Sequence, residues 1–556
     1  MRILFYNWVD YLDDERRGGG VSIYQKNVIH ALNGEGATDC LFLSSGISYD
    51  ILSDVPRWEA MKHGPAEDRA LRYEIVNSGV LAPGHHSYGD PRQVEDPATE
   101  AAFFDFLRAK GPFDVVHFNN LEGIPAGVLR LKEHFPDTRV ILSLHNYFPV
   151  CPQVNLWYQE AENCLDYDQG RKCVSCLPYQ HDQRVIRLAN GVAFNLKKAG
   201  IRPGSRLFDR GFGPAMRVAN RVVRFWSRRI RRSRPASMAA QVSVQRSPGQ
   251  VLEKLEARNL KFVKRRRDMA TLINTHCDSV LCVSHRVGEV AARYGIAPEL
   301  LETSYIGTRH AEKFAQTSPA QTLLGEDGTL TMAFLGYMRR DKGFYFLLEA
   351  LEEMPIELAE RVRLVIASRR GDHETMERVV ALSERFASVQ YADGYSHDQL
   401  DALLEGVGVG VIPVLWEDNL PQVAIEMHAR HIPLLTSDLG GAQELGNSPE
   451  MRFTSGDIDD FHARVQAMLD GEIDLSDYWS RALAPYSMEN HLAELHQVYA
   501  APVRPIGLMP SAPDADPEIG AELRASVAPA DEDVPVGAYQ IEPGEIEDTV
   551  GDPEER

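Results

Sequence analysis

Short apolar runs alternate with amphipathic stretches along this chain, and the alternation comes in two series. Arg2–Asn7 reads as a buried strand and Val21–Leu32 as a helix. Val115–Phe118 and Val140–Leu144 read as strands with a helical Pro125–Phe135 between them, and Ser279–Val283 as a further strand. The pattern then restarts. Strands are expected at Thr331–Gly336, Val362–Ala367, Val389–Tyr391, Gly408–Pro413 and Pro433–Ser437, and helices at Gly343–Glu353, Glu374–Phe386, His397–Glu405 and Gln422–His431. Repeated βα units imply parallel sheets covered by helices. Two series predict an α/β protein with two Rossmann-like domains facing a cleft, in which ligands bind beyond the carboxyl ends of the strands.

Charge marks the segments that stand apart. The net charge of −21 argues against a general nucleic-acid binder, but it is unevenly spread. Residues 197–267 hold 21 Lys and Arg against Asp209, Glu253 and Glu256, and read as a basic helical insertion. Residues 501–556 hold 14 Asp and Glu against Arg504, Arg524 and Arg556. That tail is rich in Pro and poor in large apolar residues, so it cannot bury enough surface to offset its ordering entropy and is expected to be disordered. The first domain then comprises 1–196 and 268–318, the second 319–480, with a closing helix at 481–500. No run of 18 apolar residues predicts a transmembrane helix. The apolar start from Met1 to Tyr6 is too short for a signal peptide. Seven cysteines make no disulfide scaffold, and the expected compartment is the cytoplasm.

The most informative stretch runs from Trp416 to Glu426. Two acids, Asp418 and Glu426, are separated by seven residues around Pro421, which suits the first turn of a helix. Asp418 then lies in a loop and Glu426 on the helix, where carboxylates can accept hydrogen bonds from sugar or ribose hydroxyls near a helix N-terminus suited to a diphosphate. Phe334-Leu335-Gly336 ends a strand and is followed by Arg339, Arg340, Asp341, Lys342 and Gly343, a cationic loop suited to phosphate oxygens. Gly18-Gly19-Gly20 joins the first strand to the first helix and lets backbone approach a ligand.

In this order the motifs resemble the retaining glycosyltransferases of family 4, with the GT-B fold, over most of residues 1–500 outside the basic segment. The resemblance rests on Arg2–Leu32, Asp114-Val115-Val116-His117, Ser143-Leu144-His145-Asn146, Phe334-Leu335-Gly336, Asp341-Lys342-Gly343, Asp418 to Glu426, Pro433 to Asp438 with Gly440-Gly441, and a final helix from Tyr486-Ser487 to Tyr499 that crosses back to the first domain. It implies an acceptor-side first domain and a nucleotide-sugar-binding second domain. Lys342 would bind the donor diphosphate, helped by Arg339 or Arg340. Glu426 would hold the ribose and Asp418, with Asn419, Leu420 and Pro421 beside it, the donor sugar. Gly19 and Gly20 would approach the phosphates, His145 would lie near the reacting sugar, and the backbone at Gly394-Tyr395 would meet the nucleobase. No cofactor and no catalytic metal are implied. The chain departs from the family at Asp418 (usually Glu), Tyr337 (often Arg), Ile306 (Asn in many members) and Asn119 (where a second His is common).

Four cysteines cluster at Cys151, Cys164, Cys173 and Cys176, the last two as Cys-x-x-Cys. Such a set can close a structural zinc site, with free thiols or a regulatory disulfide as the alternatives. Cys40, Cys277 and Cys282 read as core residues. Within the basic segment, Met216–Arg232 places Arg217, Arg221, Arg224, Arg228 and Arg231 at spacings of four and three beside Phe225 and Trp226. This pattern suits an anionic membrane surface, or a helix packed on the protein's own acidic surface. The reading is a cytoplasmic glycosyltransferase, at the inner face of the plasma membrane if the helix binds there. It uses a nucleotide-sugar donor and a glycan or lipid-linked acceptor of surface-polysaccharide synthesis, and no nucleic acid. A non-catalytic scaffold of the same fold and a sugar-nucleotide epimerase are its rivals.

Overall fold

The structure is a computed structural model and describes residues 1–15, 17–177, 182–203, 205, 208, 210 and 248–506. The expected helix at Met216–Arg232 and the acidic tail beyond residue 506 lie outside the described residues.

Two sheets carry the chain. The first holds β1 (Arg2–Tyr6), β2 (Asp39–Ser45), β3 (Arg57–Ala60), β4 (Arg72–Val76), β5 (Val115–Phe118), β6 (Arg139–Leu144), β9 (Ser279–Cys282) and β10 (Leu301–Thr303) in the order β10-β9-β6-β5-β1-β2-β4-β3, parallel except for β3. A separate two-stranded pair, β7 (Trp157–Tyr158) and β8 (Glu162–Asn163), interrupts the numbering. The second sheet, β11 (Leu330–Tyr337), β12 (Val362–Arg369), β13 (Ser388–Asp393), β14 (Val409–Ile412), β15 (Leu434–Ser437) and β16 (Arg452–Phe453), is parallel throughout in the order β13-β12-β11-β14-β15-β16. The expected α/β architecture of two Rossmann-like units is therefore present.

The continuous apolar runs follow from burial on both faces. In β1, Leu4 and Tyr6 pack into one core while Ile3 and Phe5 pack into another. The first core receives Phe103, Phe106 and Leu107 of helix Pro97–Lys110, and Met269, Leu272 and Ile273 of helix Pro248–His276. The second receives Val28, Ile29 and Leu32 of helix Gly19–Gly34. In β11 the alternation recurs, with Met332 and Phe334 on one side and Ala333 and Leu335 on the other.

The closing helix, Met488–Ala500, leaves the second sheet and packs on the first. Ser487 caps it by accepting the Asn490 N–H at 3.1 Å. Leu492, Leu495, Val498 and Tyr499 complete the core behind Ile3 and Phe5, each contributing roughly 2 kcal/mol by burial. Tyr24 Oη and His491 Nε2 are 2.7 Å apart. A Cβ on Gly307 would come within 2.8 Å of His491 Cβ and 2.9 Å of Met488 Cα, so only glycine permits this approach.

His117 sits fully buried between Tyr499 Oη and Ser143 Oγ, each 2.7 Å away. Burial, helped by nearby His145 and His491, pushes its pKa down to about 3 from 6.5. Its contribution to stability is therefore present above the unfolded pKa and lost as pH falls from 6.5 toward 3, because the unfolded chain takes up the proton first. The stability advantage of wild type over His117→Gln should shrink by roughly 2 kcal/mol between pH 7 and pH 5, read from urea denaturation. A difference independent of pH would contradict the neutral buried ring.

One boundary needs correction. The basic segment expected to end at residue 267 does not end there, since helix Pro248–His276 runs through the position without a break. Arg265 and Arg266 of this helix are buried, donating to the Phe148, Pro149 and Val150 carbonyls. The helical stretch expected at Pro125–Phe135 is present as a 3-10 helix over Ala126–Glu133. Among the described residues no helix is long and apolar enough to cross a membrane.

Candidate functional site

The carboxyl ends of the two sheets meet. Beyond β1, Gly19 takes φ +55° and opens helix Gly19–Gly34, whose N-terminus has no side-chain cap and no acid in its first turn. A Cβ on Gly20 would lie 3.7 Å from Gln422 Cγ, at the start of helix Gln422–His428 beyond β14. Asn419 Nδ2 donates to the Leu144 carbonyl at the end of β6, at 3.3 Å. The glycine loop, the end of β6 and the Asp418–Glu426 stretch therefore border one cleft.

The loop after β11 is pressed against the end of β14. Gly343 has φ +69°, and a Cβ there would stand 1.6 Å from the Pro413 carbonyl oxygen. Trp416 Nε1 donates to the Asp341 carbonyl at 2.6 Å, tying the two loops together. The result aims Lys342 Nζ at Asp418 Oδ2, 2.8 Å away. Gly343→Ala should lower stability by about 2–4 kcal/mol, since it adds left-handed strain to a backbone collision. The check is the shift in the urea midpoint, and an unchanged midpoint would contradict the contact.

Glu426 is buried on its helix and accepts from Tyr395 Oη at 3.0 Å. His397 Nδ1 lies 3.3 Å and His310 Nε2 3.9 Å from its Oε1. Burial raises the Glu426 carboxyl above its ordinary value, against the lowering effects of Tyr395, His397 and two arginines. Among the described residues, His310, His397 and Glu426 are the set whose ligand atoms all stand within 4.8 Å of one another.

On the other wall, His145 Nε2 is 3.2 Å from Asn119 Oδ1 and its ring 5.2 Å from that of Tyr24. Burial, with His491 nearby, pushes its pKa down to about 3, so the ring is neutral at physiological pH. Asn119, which stands where the resemblance places a second His, is its partner. Three residues on, buried Glu122 accepts from Asn146 Nδ2 at 2.6 Å, and burial pushes its carboxyl up to about 7.

The structure brings Lys342, Asp418, Glu426, Tyr395, Pro421 and Gly20 to the cleft, with Pro421 as the helix N-cap rather than within its first turn. Gly394 takes φ +73° just before Tyr395. Leu420 is buried in the core on the Ala333 and Leu335 side of the second sheet, and Asn419 is engaged by the first sheet. Arg339 and Arg340 are exposed, and Arg339 is paired with Asp341 at 2.8 Å, so Lys342 is the cation of this loop that turns toward the acids.

The sequence reading passed over Glu417. It is 2% exposed and holds Arg286 in a bidentate pair, Nη2 to Oε1 at 2.6 Å and Nε to Oε2 at 2.9 Å. Its Oε2 also accepts the Gly440 N–H at 3.1 Å. Arg286 belongs to helix His285–Arg293 after β9, so the pair joins the two halves. Glu444 of the second half accepts the first N–H groups of that helix, from His285 at 2.9 Å and Arg286 at 2.7 Å, and Tyr305 Oη at 2.6 Å.

Residues 329–471, covering most of the second sheet's unit, match the sequence profile of the glycosyl transferases group 1. No curated protein matches the chain. The chain is similar in structure to sucrose-phosphate synthase from Thermosynechococcus elongatus, with 14% identity over 90% of this chain and 98% of that one and a TM-score of 0.47. It is also similar to HepE of Anabaena in complex with UDP, with 11% identity over 90% and 99% and a TM-score of 0.48. A third similar structure is the lipopolysaccharide outer core galactosyltransferase WaaB in its apo form, with 11% identity over 89% and 98% and a TM-score of 0.49.

Proposed function

We propose, from a glycosyl transferases group 1 segment at residues 329–471, that this chain moves a sugar from a nucleotide-sugar donor to a glycan or lipid-linked acceptor, with retention of configuration. The observation that carries the reading is the Lys342–Asp418 pair at the end of β11, beside buried Glu426 and across from the open N-terminus of helix Gly19–Gly34. The ammonium and the free amides of that helix are suited to diphosphate oxygens, and the two carboxylates to hydroxyls. Neutral His145 can accept or donate a hydrogen bond to a sugar hydroxyl without carrying charge. No step requires a metal. The test is a panel of nucleotide sugars assayed for nucleoside diphosphate release with and without acceptor. Release that depends on acceptor supports transfer. Epimerised nucleotide sugar without release would replace it with an epimerase, and binding without turnover with a scaffold.

The acceptor reading extends to the Met216–Arg232 stretch as a reversible contact with the inner face of the plasma membrane. Each arginine near an anionic leaflet contributes about 1 kcal/mol, and Phe225 and Trp226 add apolar insertion. The full chain should co-sediment with anionic vesicles at low salt and less so at high salt. Replacing Arg221, Arg224 and Arg228 with Glu should abolish this while leaving transfer to a soluble acceptor intact. Unchanged sedimentation would remove the membrane from the proposal.

A further inference from the structure

The two carboxylate oxygens of Glu426 have different neighbours. Oε2 accepts from Tyr395 Oη at 3.0 Å. Oε1 stands 3.3 Å from His397 Nδ1 and 3.9 Å from His310 Nε2. These three ligand atoms all lie within 4.8 Å of one another. Around a tetrahedral zinc ion, bonds of about 2.0–2.2 Å put ligand atoms roughly 3.3 Å apart. The separation from His397 already has this value. The His310 ring must approach by about half an ångström, which the broad χ2 torsion of histidine permits.

Each ligand comes from its own segment and is fixed there. Glu426 is buried on helix Gln422–His428, and His310 is buried at the start of helix His310–Gln316. Phe314 of the latter stacks on His431 at 4.1 Å and on His428 at 5.7 Å, which ties this helix to the end of the one carrying Glu426. His397 begins a 3-10 turn held by a capping box, in which Gln399 Oε1 accepts the Ser396 N–H at 2.9 Å. The His397 side chain is 51% exposed, and the two histidines line an open groove with Arg309, Lys313 and Arg430. An ion can therefore reach Oε1 from solvent.

Two cations of the groove are engaged elsewhere. Lys313 Nζ and Arg430 Nε pair with the two oxygens of Asp401, at 2.7 and 2.8 Å. Arg430 Nη1 donates to the main-chain carbonyl of Glu426 at 2.8 Å, which leaves the carboxylate to Tyr395 and the histidines. The positive charge nearby weakens the hold on a metal ion, so the ion exchanges and is no permanent part of the fold. Two imidazoles and one carboxylate suit zinc and its neighbours, whereas magnesium and calcium take oxygen ligands.

We propose that His310, His397 and Glu426 bind a zinc ion, and that this ion competes with the sugar donor for the Glu426 carboxylate. The competition rests on the donor reading given above; the metal site does not. Three protein ligands leave one tetrahedral position to water. With Oε1 on the ion, the carboxylate has one oxygen fewer for ribose hydroxyls. Zinc then raises KM for the donor and leaves kcat unchanged.

The test uses the full chain. Zinc titrated against a chromogenic chelator reads metal binding with no donor present. Wild type should hold one zinc more than His397→Gln, whose half-exposed position spares the fold, and one more than His310→Gln. The difference isolates this site from zinc bound elsewhere on the chain. Equal zinc in wild type and in both variants, or displacement of the ion by equimolar magnesium, would overturn the site. In nucleotide-release assays, zinc at ten times its Kd should raise the donor KM of wild type about tenfold, and that of His397→Gln little. An unmoved KM with zinc bound would overturn the competition. If no nucleotide sugar is bound or turned over, the donor reading and the competition fall together, and the zinc difference alone decides the site.

Discussion

Lys342→Ala should lower donor binding and transfer at least tenfold, because it removes a charge-assisted hydrogen bond worth roughly 1.5–3 kcal/mol. Burial pulls the Lys342 pKa down, but the charge and hydrogen bond of Asp418 more than compensate, and the net shift is upward. The side chain is therefore a cation at neutral pH. Removing it also leaves the Asp418 carboxylate, 11% exposed, without its partner at 2.8 Å, so the loop between Trp416 and Pro421 loses an anchor as well as a phosphate ligand. Glu426→Ala should weaken binding by a similar factor through the loss of hydroxyl contacts, and Tyr395 would lose the acceptor of its hydroxyl. Calorimetric titration with nucleotide sugar, paired with nucleotide-release rates, reads both effects. Wild-type behaviour in both variants would remove these residues from the donor site.

Arg286→Ala should cost about 2–4 kcal/mol, somewhat less than the loss of a fully buried pair, because Arg286 keeps 21% of its side chain exposed. The cost falls on Glu417, which would remain buried with the Gly440 N–H as its remaining donor. Glu417 directly precedes Asp418, so the loss should raise KM for the donor as well as lowering Tm. Arg286→Lys should recover little of either, since an ammonium cannot span both carboxylate oxygens. A variant with unaltered Tm and KM would show that the bidentate pair does not hold the two halves in register.

These two residue pairs differ in how visible they are along the chain. Lys342 and Glu426 follow strand and helix signals that periodicity reveals, and their motif context adds the chemistry. Glu417 looks like one more acid in a charged loop, and Arg286 stands 131 positions before it, so no local pattern links them. The central strands were legible because burial on both faces makes them uniformly apolar. β2, β3 and β4 were not read, although β2 is as uniformly apolar as its neighbours. Helix Pro97–Lys110 was passed over although Asp96 caps it by accepting the Thr99 N–H and Pro97 opens it. Arg265 and Arg266 defeat a charge count for a different reason, since the carbonyls that bury them belong to a loop more than 110 residues earlier.

The return of helix Met488–Ala500 to the first sheet bears on the order in which this protein can be made. The core behind Ile3 and Phe5 lacks Leu492, Leu495, Val498 and Tyr499 until the ribosome has passed residue 499. At 5–20 residues per second, the roughly 200 residues after β10 take about 10–40 s to emerge. During that interval the first half has all eight of its strands but an uncovered apolar face, and His117 has no Tyr499. The second half, contained between β11 and residue 480, can close its own core meanwhile. The half that is synthesised first is thus the one completed last, and a nascent chain stalled before residue 490 would be a client for chaperones that bind exposed apolar surface.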